Sequence, residues 1–554
     1  MKHTNTRNFL VTLLPLFAMM AGLSACTPVS DDSEKADDPT KAHLTIGTLD
    51  AGIGGKWIEE AAARFEELYK DSTDFEEGKI GVNISVSARR TYDGTFLLNQ
   101  NWNQDIMFTE AINYYALANS GKIRDITDLM NADLSRYADS AGTTILSKID
   151  PSYASFLNKD GKYYGIPFYE SFYGFVYDVD LWKQDGLYFK DGGGFTKDKN
   201  AFAAGPDGKK GTYDDGMPAT YADFSTLMNR LVTDYGRAFV ISTDEHEYMA
   251  NLLFNFWANE EGYDGMNLQY KLSSEEAGGA MASNLIQTFD GDNISAYYPK
   301  TTITHDNAYL LQRSQAKYNA LSLFASSIVP SKYYGDLKNK NTDCQSFFIE
   351  SRLEADTACP MCVEGSWFEN EASGVLDSME TKYGSRGNYA LMPIPWSSAD
   401  KVGSAPTRLG LSSSYAMINA NCKNTKLAYE FLKFLHSDAE LLAFTKSTGM
   451  TRPLSYDIPD AEVASLSTYT KSLINAKNNS KIFYPYANNQ IALNHYDDFS
   501  YFHWAWNSDV NNLSYVNPWT YFRDSAVSSS DKTAKTYFDG CYDHFQKNWS
   551  GYLR

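Results

Sequence analysis

The chain has 554 residues, with 49 Lys and Arg against 69 Asp and Glu, which gives a formal net charge of −20. This excess of acid argues against nucleic acid as a partner, because phosphates are bound through Lys and Arg. With 43% hydrophobic and 21% charged residues, the composition excludes a disordered or fibrous protein. The length allows about three domains, or two large lobes.

The N-terminus has the pattern of a secretion signal. Lys2 and Arg7 precede an apolar run at residues 9–20, too short for a permanent membrane span. Leu-Ser-Ala-Cys follows at residues 23–26 and resembles a bacterial lipobox. This predicts a signal peptide at 1–25 and a lipid anchor on Cys26, at the extracytoplasmic face of the cell membrane. An ordinary signal peptide is the alternative.

Residues 26–42 are polar and Asp-rich and show no apolar period, so we predict a flexible tether there. The folded part then begins near His43.

The cysteines after Cys26 are odd in number, so at least one is not in an internal disulfide. They are Cys344, Cys359, Cys362, Cys422 and Cys541. Cys359 and Cys362 have CxxC spacing, but no second pair that would complete a zinc site lies near. An isolated disulfide or buried thiols are the alternatives to a metal or redox role.

The first elements predict a β-loop-α-β unit. Residues 43–49 alternate as a strand, a Gly-rich loop follows at 50–56, residues 57–69 have a helical apolar face, and 82–86 alternate again. Such a unit builds a parallel sheet. Ligands of these sheets lie beyond the carboxyl ends of the strands, so the 50–56 loop is a candidate cleft wall.

Later segments continue the α/β pattern. We predict a strand at 104–108 with a helix after it, and two extended pieces around Pro167. Further segments predict strands at 388–395 and 415–418 and a helix at 426–436. Ser437 and Glu440 then predict a capping box that begins the next helix.

Aromatic residues make up 14% of the chain, and Tyr outnumbers Phe. Tyr and Trp combine an apolar face with a polar edge, which suits carbohydrate-binding clefts. A large Tyr-rich core is the alternative.

A family resemblance rests on the order and spacing of several loose motifs. After the lipobox and tether come DIMFTEAINYYALANSG, GKYYGIPFYESFYGFVYD, EGSW, YALMPIPW, LAYEFLKFLHS and STGMTRPLSY. Over nearly all of residues 43–455 this order resembles the sugar-binding lipoproteins of ABC importers, the family 1 extracellular solute-binding proteins.

The resemblance implies an α/β, two-lobed fold of the periplasmic-binding-protein type (type II), with an interlobe hinge. Lobe one would be 43–168 with 411–450, and lobe two 172–405 with 453–554, including a C-terminal extension. The chain would cross between lobes near residues 168–173, 408–411 and 449–453.

The resemblance also implies a binding site for a carbohydrate, expected to be an oligosaccharide. Glu170 lies where the family places a carboxylate for sugar hydroxyls, and Trp367 matches its stacking Trp. The loop at 109–113 lacks the aromatic residue and the Asp-Arg pair of maltose-binding proteins, which speaks against malto-oligosaccharides. The predicted ligand-binding residues are Asp50, Trp57, Thr109, Glu110, Asn113, Tyr169, Glu170, Tyr173, Trp367 and Arg408.

For several of these residues a structural role is the alternative. Asp50 and Trp57 also suit positions at the start of a helix. Trp367 also suits an ordinary buried core position, and Glu170 also suits a solvated position on a loop. Arg408 also suits a hinge salt bridge.

An insert at residues 205–216 has three Asp among four Gly. Short carboxylates on a tight turn can bind calcium, so Asp207, Asp214 and Asp215 are candidate ligands of a structural calcium ion. A plain Gly-rich surface loop is the alternative. We expect no other cofactor.

No GxSxG, HExxH or phosphate-loop motif is present, and we predict that the protein is not an enzyme. The expected partners are the permease subunits of an ABC importer and the membrane, with the protein a monomer. Two alternatives are a surface glycan-binding lipoprotein of the starch-utilisation type, whose helical repeats conflict with the strand-helix-strand start, and a secreted glycoside hydrolase.

Overall fold

The fold is described from a computed structural model, which covers residues 37–494 and, beyond them, 503, 517–523 and 532–553. Within the first range, 111, 138–139, 243–245, 336, 354–357 and 412–413 are not described. The predicted signal peptide, Cys26 and most of the tether lie outside the described residues. In the described part no helix is long and apolar enough to cross a membrane.

The strands are short. They are β1 Ala42–Leu49, β2 Val82–Arg89, β3 Ile106–Thr109, β4 Ile166–Pro167, β5 Tyr173–Asp178, β6 Tyr188–Phe189, β7 Phe195–Thr196, β8 Ile286–Asp290, β9 Asn293–Tyr297, β10 Met361–Gly365, β11 Tyr389–Leu391, β12 Thr407–Leu409, β13 Tyr415–Ile418 and β14 Lys481–Phe483.

The helices make up most of the regular structure. They are α1 Lys56–Leu68, α2 Gly94–Asn99, α3 Tyr114–Asn119, α4 Thr127–Met130, α5 Pro151–Leu157, α6 Val179–Asp185, α7 Tyr221–Tyr235, α8 His246–Glu261, α9 Tyr263–Lys271, α10 Gln315–Ser327, α11 Asn341–Ser351, α12 Phe368–Glu371, α13 Ser373–Tyr383, α14 Thr425–Leu435, α15 Asp438–Thr448, α16 Asp460–Ser465, α17 Thr468–Asn478, α18 Gln490–Asn494, α19 Pro518–Arg523 and α20 Ala534–Tyr552.

Lobe one is built on a five-stranded sheet with the order β2-β1-β3-β13-β4. β1 pairs in parallel with β2 and β3, whereas β13 runs antiparallel to β3 and β4. The apolar face of α1 is buried in the core beneath this sheet, together with α14. The predicted β-loop-α-β unit is therefore confirmed, and the carboxyl ends of β1, β2 and β3 meet at one edge.

Lobe two has a separate core around the antiparallel sheet β10-β5-β11. Helices α7, α8 and α10 contribute many of the buried side chains of this core. The C-terminal extension adds α19 and α20 to it. The fold is thus α/β with two lobes.

The chain crosses between the lobes in three neighbouring segments. The Ser171 N–H donates to the Leu411 carbonyl oxygen (2.9 Å) and the Leu411 N–H to that of Ser171 (3.1 Å). The Glu170 N–H donates to the Thr451 carbonyl oxygen at 3.3 Å. These crossing segments are therefore hydrogen-bonded to each other and form a hinge.

Of the two hydrogen bonds of the capping box predicted at Ser437, the one accepted by the Ser437 side chain forms. The Ser437 hydroxyl accepts from the Glu440 N–H at 3.3 Å. The Glu440 carboxylate instead accepts two bonds from Arg64 of α1, at 2.8 and 2.7 Å. The Glu440 side chain, which the local pattern assigned to the capping box, thus forms an ion pair with Arg64 instead.

Candidate ligand-binding cleft

Loops at the carboxyl edge of the lobe-one sheet face the turn between β10 and α12 of lobe two. Asn370 Nδ2 of lobe two donates to the carbonyl oxygen of Gly52 in the loop after β1, at 2.5 Å. A Cβ atom on Gly52 would lie 3.1 Å from Trp367 Cβ and Cγ. The two walls therefore touch, and the cleft is closed at this point.

Trp367 stands at the centre of the aromatic side of the cleft. Its ring meets Tyr173 (5.1 Å between centroids) and Tyr248 (5.8 Å), both edge to face. The ring folds over Gly365, where a Cβ would approach one of its carbons to 2.4 Å. Only 7% of Trp367 is exposed, and it packs with the lobe-one core. The Gly52 loop therefore covers the Trp367 ring.

Glu364, at the end of β10, is a fully buried carboxyl beneath this turn. Its Oε1 accepts from Asn341 Nδ2 (2.7 Å) and Gln345 Nε2 (3.0 Å), and its Oε2 from the Gly365 N–H (3.0 Å). Burial, followed by the charge of Glu371, raises the pKa of Glu364 to about 8 despite these donors. Burial therefore favours the protonated form of Glu364, and its hydrogen bonds to Asn341, Gln345 and the Gly365 N–H hold the turn in place.

Glu110 and Glu371 bring carboxyl groups from opposite walls. Glu110 follows β3, is buried and hydrogen-bonds Tyr169; burial raises its pKa to about 7, with a smaller contribution from the charge of Glu371. Glu371 keeps access to solvent, yet the surrounding walls desolvate its carboxyl and raise its pKa, while Arg90 and Gln345 lower it. Acidic and aromatic groups thus converge where the walls meet.

The other predicted residues of lobe one have structural partners. The Trp57 ring is buried against Phe108, Phe168 and Phe444. Thr109 is fully buried and its hydroxyl donates to the Tyr92 carbonyl oxygen.

Asn113 caps α3 by accepting from the Ala116 N–H at 2.9 Å, and Asp50 is exposed at the end of β1. The burial of Trp57 favours its structural alternative, and Thr109 has a structural partner as well. Ligand contact at all four residues stays a prediction.

Glu170 is fully buried in the hinge, where its carboxylate is already paired within the chain. Oε1 accepts from Thr451 Oγ1 (2.8 Å) and pairs with Lys477 Nζ (2.5 Å), and Oε2 accepts from the Tyr484 hydroxyl (2.5 Å). The alternative that Glu170 is a solvated loop residue is therefore wrong. A role in sugar binding stays a prediction, and the observed role is to join the crossing segments.

Arg408 is buried on β12, with its guanidinium 5.9 Å from the ring centre of Phe172. Among the described residues, Nε and Nη1 have no hydrogen-bond partner. Burial lowers the pKa of Arg408 to about 10. The alternative of a hinge salt bridge is not seen within the described part.

The carboxylates of Asp214 and Asp215 in the 205–216 insert accept hydrogen bonds from residues of the same loop. Asp214 is buried and accepts from the Asp207 N–H (2.9 Å) and the Thr212 hydroxyl (2.7 Å). Asp215 accepts from the Gly211 N–H at 2.7 Å. Across the described residues, no three His, Cys, Asp or Glu side chains are placed to hold a metal ion. The geometry therefore gives the calcium prediction no support.

The five cysteines of the described part are buried free thiols. Burial raises the pKa of Cys359 to about 12, and that of Cys362 well above its usual value. Thiols of this kind are chemically inert, which favours the buried-thiol alternative over redox chemistry.

Tyr248, Asn370, Glu371 and Arg90 belong to the cleft, although the sequence analysis did not single them out. Glu371 and Asn370 stand within four residues of Trp367, so the segment after the EGSW motif carried a local signal. Tyr248 comes from α8, and nothing in the sequence near it indicates a cleft.

Comparisons with known proteins gave matches in structure. The sequence matches no protein-family model and no curated protein. In structure the chain is similar to the cyclic alpha-maltosyl-1,6-maltose binding protein from Arthrobacter globiformis, with 13% identity, a TM-score of 0.49 and coverage of 92% of this chain and 100% of that one.

Two further matches are of the same kind. The apo form of RafE from Streptococcus pneumoniae is 14% identical, with a TM-score of 0.46 and coverage of 92% and 98%. A family 1 extracellular solute-binding protein from Bifidobacterium longum subsp. infantis is 14% identical, with a TM-score of 0.46 and coverage of 91% and 99%. At this identity the chain is similar to family 1 extracellular solute-binding proteins in fold alone.

Proposed function

We propose that this chain is the substrate-binding lipoprotein of an ABC importer, which captures a carbohydrate between its lobes and delivers it to the membrane permease. The observation that carries the proposal is the convergence of Trp367, Tyr173 and Tyr248 with the carboxyl groups of Glu110 and Glu371 where the two lobes meet.

This combination suits a sugar. Hydroxyl groups donate to carboxylates and amide oxygens, whereas the C–H face of a pyranose packs on an aromatic ring. Glu110 and Glu371 supply acceptors from both walls, and Trp367 supplies a ring. An oligosaccharide would extend along the cleft from this point.

The proposed mechanism is ligand-stabilised closure. Each lobe supplies part of the contacts, so only the closed state satisfies all of them, and the ligand shifts the population by that difference. The Gly52 loop covers Trp367 in the closed arrangement. The sugar therefore competes with a protein contact and enters when the lobes separate.

One alternative fits less well, and the other is decided by experiment. The five-stranded sheet of lobe one conflicts with the helical repeats of a starch-utilisation lipoprotein. A glycoside hydrolase needs one ionised and one protonated carboxyl flanking the scissile bond. We propose a binding role for Glu110 and Glu371, and turnover of any glycan by the purified protein would show hydrolysis instead.

The test is a thermal-shift screen of the chain against mono- and oligosaccharides. A ligand at about 100 times its Kd stabilises the folded state by about 2.7 kcal/mol. We expect a rise in Tm with at least one sugar, reduced in Trp367→Ala and kept in the control Tyr383→Ala, whose ring is 59% exposed on α13. No response to any sugar would contradict the proposal.

Two parallel arms test the remaining predictions. A chelator should lower Tm if the 205–216 loop binds calcium, and it should leave Tm unchanged if the loop binds none. Cys26→Ser should release the protein from membranes if this residue carries the lipid anchor.

A further inference from the structure

We propose that residues 481–491, here called the strap, limit how far the two lobes separate. This inference rests on the hinged capture proposed above. It assigns a role to the first part of the C-terminal extension, which continues the chain beyond the residues of the motif resemblance.

The strap is fixed to lobe two along its length. β14 pairs in parallel with β12, and the Phe483 ring packs against Tyr270 at 5.2 Å between centroids. Asn489 Nδ2 donates to the Tyr270 carbonyl oxygen at 3.0 Å. Ala487 and Ile491 are buried in the lobe-two core.

The same segment also holds lobe one, through α5. Tyr484 stacks on Tyr153 with 4.8 Å between ring centroids and 21° between planes. Tyr486 stacks on Tyr153 (5.2 Å, 23°) and on Phe156 (5.1 Å, 28°). Asn488 Nδ2 donates to the Ser155 carbonyl oxygen at 3.1 Å.

Between these contacts the strap passes the hinge. The Tyr484 hydroxyl donates to Glu170 in the first crossing segment at 2.5 Å. Glu170 is joined in turn to Thr451 of the third crossing segment. The strap is therefore bound to lobe one, lobe two and the hinge within eleven consecutive residues.

This arrangement restricts movement at the hinge because one short segment is in contact with both lobes. If the lobes separate at α5, either the rings of Tyr484 and Tyr486 leave Tyr153, or β14 leaves β12. Nearly parallel rings can slide over each other, so small rotations keep the contact, whereas large ones break it. The strap thus allows partial opening and opposes wide opening.

The experiment measures the distance between the lobes without any ligand. Spin labels are placed on the full chain at Lys56→Cys of α1 and Lys382→Cys of α13, both exposed, with Cys26→Ser. The five remaining cysteines are buried and do not compete for the label. The distance distribution is recorded by double electron–electron resonance.

We expect Tyr486→Ala with Asn488→Ala to broaden the distribution and shift it to longer distances. Tyr297→Ala, which removes a half-exposed ring from β9 on lobe two, is the matched control and should change nothing. Asn488→Ala alone removes one exposed contact with little risk to folding and should give a smaller shift in the same direction.

Distributions identical to that of the unsubstituted chain in both strap variants, with folding intact by circular dichroism, would overturn the proposal. Because no sugar is used, this result is independent of the ligand screen. If the chain binds no sugar but the strap variants show longer distances between the lobes, the proposed function is refuted and the proposed role of the strap stands.

Discussion

Glu364 is expected to make the stability of the folded chain depend on pH. Burial raises its pKa from 4.5 to about 8, so the folded state holds a proton that the unfolded state releases. Between these values the folded state binds more protons, so this group lowers stability as pH rises. We expect Glu364→Gln to flatten the fall in unfolding free energy between pH 5 and pH 8, measured in urea. An unchanged slope would contradict the assignment.

The Glu170–Lys477 pair predicts a stability effect at the hinge. Glu170 is fully buried, and Glu170→Gln leaves the Lys477 ammonium beside a neutral group. Breaking a buried pair on one side costs about 3–5 kcal/mol. We expect a loss of this size in urea unfolding, partly recovered in Glu170→Gln with Lys477→Met. A cost below about 1 kcal/mol, typical of exposed pairs, would show that the pair is solvated.

The sequence located part of the cleft and could not assign the role of every residue. Trp367, Tyr173 and Glu110 were found because they stand in motifs with a recognisable order. Glu170 was placed at the crossing, but its partners Lys477 and Tyr484 lie 307 and 314 residues further along the chain. No local pattern predicts such contacts, so the sequence could not show that the Glu170 carboxylate is paired within the hinge.

The long helix α20 forms part of the lobe-two core and does not behave as an appendage. Arg313 pairs with Asp539 at 2.6 Å and lies 4.8 Å from the centre of the Phe538 ring, while Trp549 Nε1 donates to the His305 carbonyl oxygen at 2.6 Å. Phe538 is fully buried. The extension therefore stabilises the lobe that it covers.

Phe538→Ala tests this role of α20. Removing a buried Phe costs about 3–5 kcal/mol through lost burial and the cavity left behind. We expect this loss in urea unfolding, and no change in Lys547→Ala, which is exposed on the same helix. Equal stability of the two variants would mean that α20 is detached in solution.

Elements with strong local patterns were predicted to within a residue or two. Alternation found β1, and the apolar face found α1 and α14. The strand predicted at 415–418 matches β13. The extension was not interpretable in this way, because its aromatic residues pack on partners far away in the chain. Trp549 and its partner His305, for example, are separated by 244 residues.

For the whole molecule, closure is in the proposed mechanism a balance between protein contacts and ligand contacts. The Gly52 loop covers Trp367 in the closed state, the strap opposes wide opening, and the carboxyl groups of opposite walls repel each other when both are ionised. A sugar that bonds to Glu110 and Glu371 and packs on Trp367 would replace the loop contact and favour closure. Binding should therefore depend on the ring of Trp367 more than on any exposed aromatic residue.

The most direct test is isothermal titration calorimetry of the chain, Trp367→Ala and Tyr383→Ala with the sugar that gives the largest thermal shift. Loss of a stacking ring weakens binding by about 1–3 kcal/mol. The account predicts one site per chain, a Kd raised about 5- to 150-fold in Trp367→Ala for that energy range, and no change in Tyr383→Ala. Equal affinity of the chain and a folded Trp367→Ala variant would contradict a carbohydrate site in this cleft.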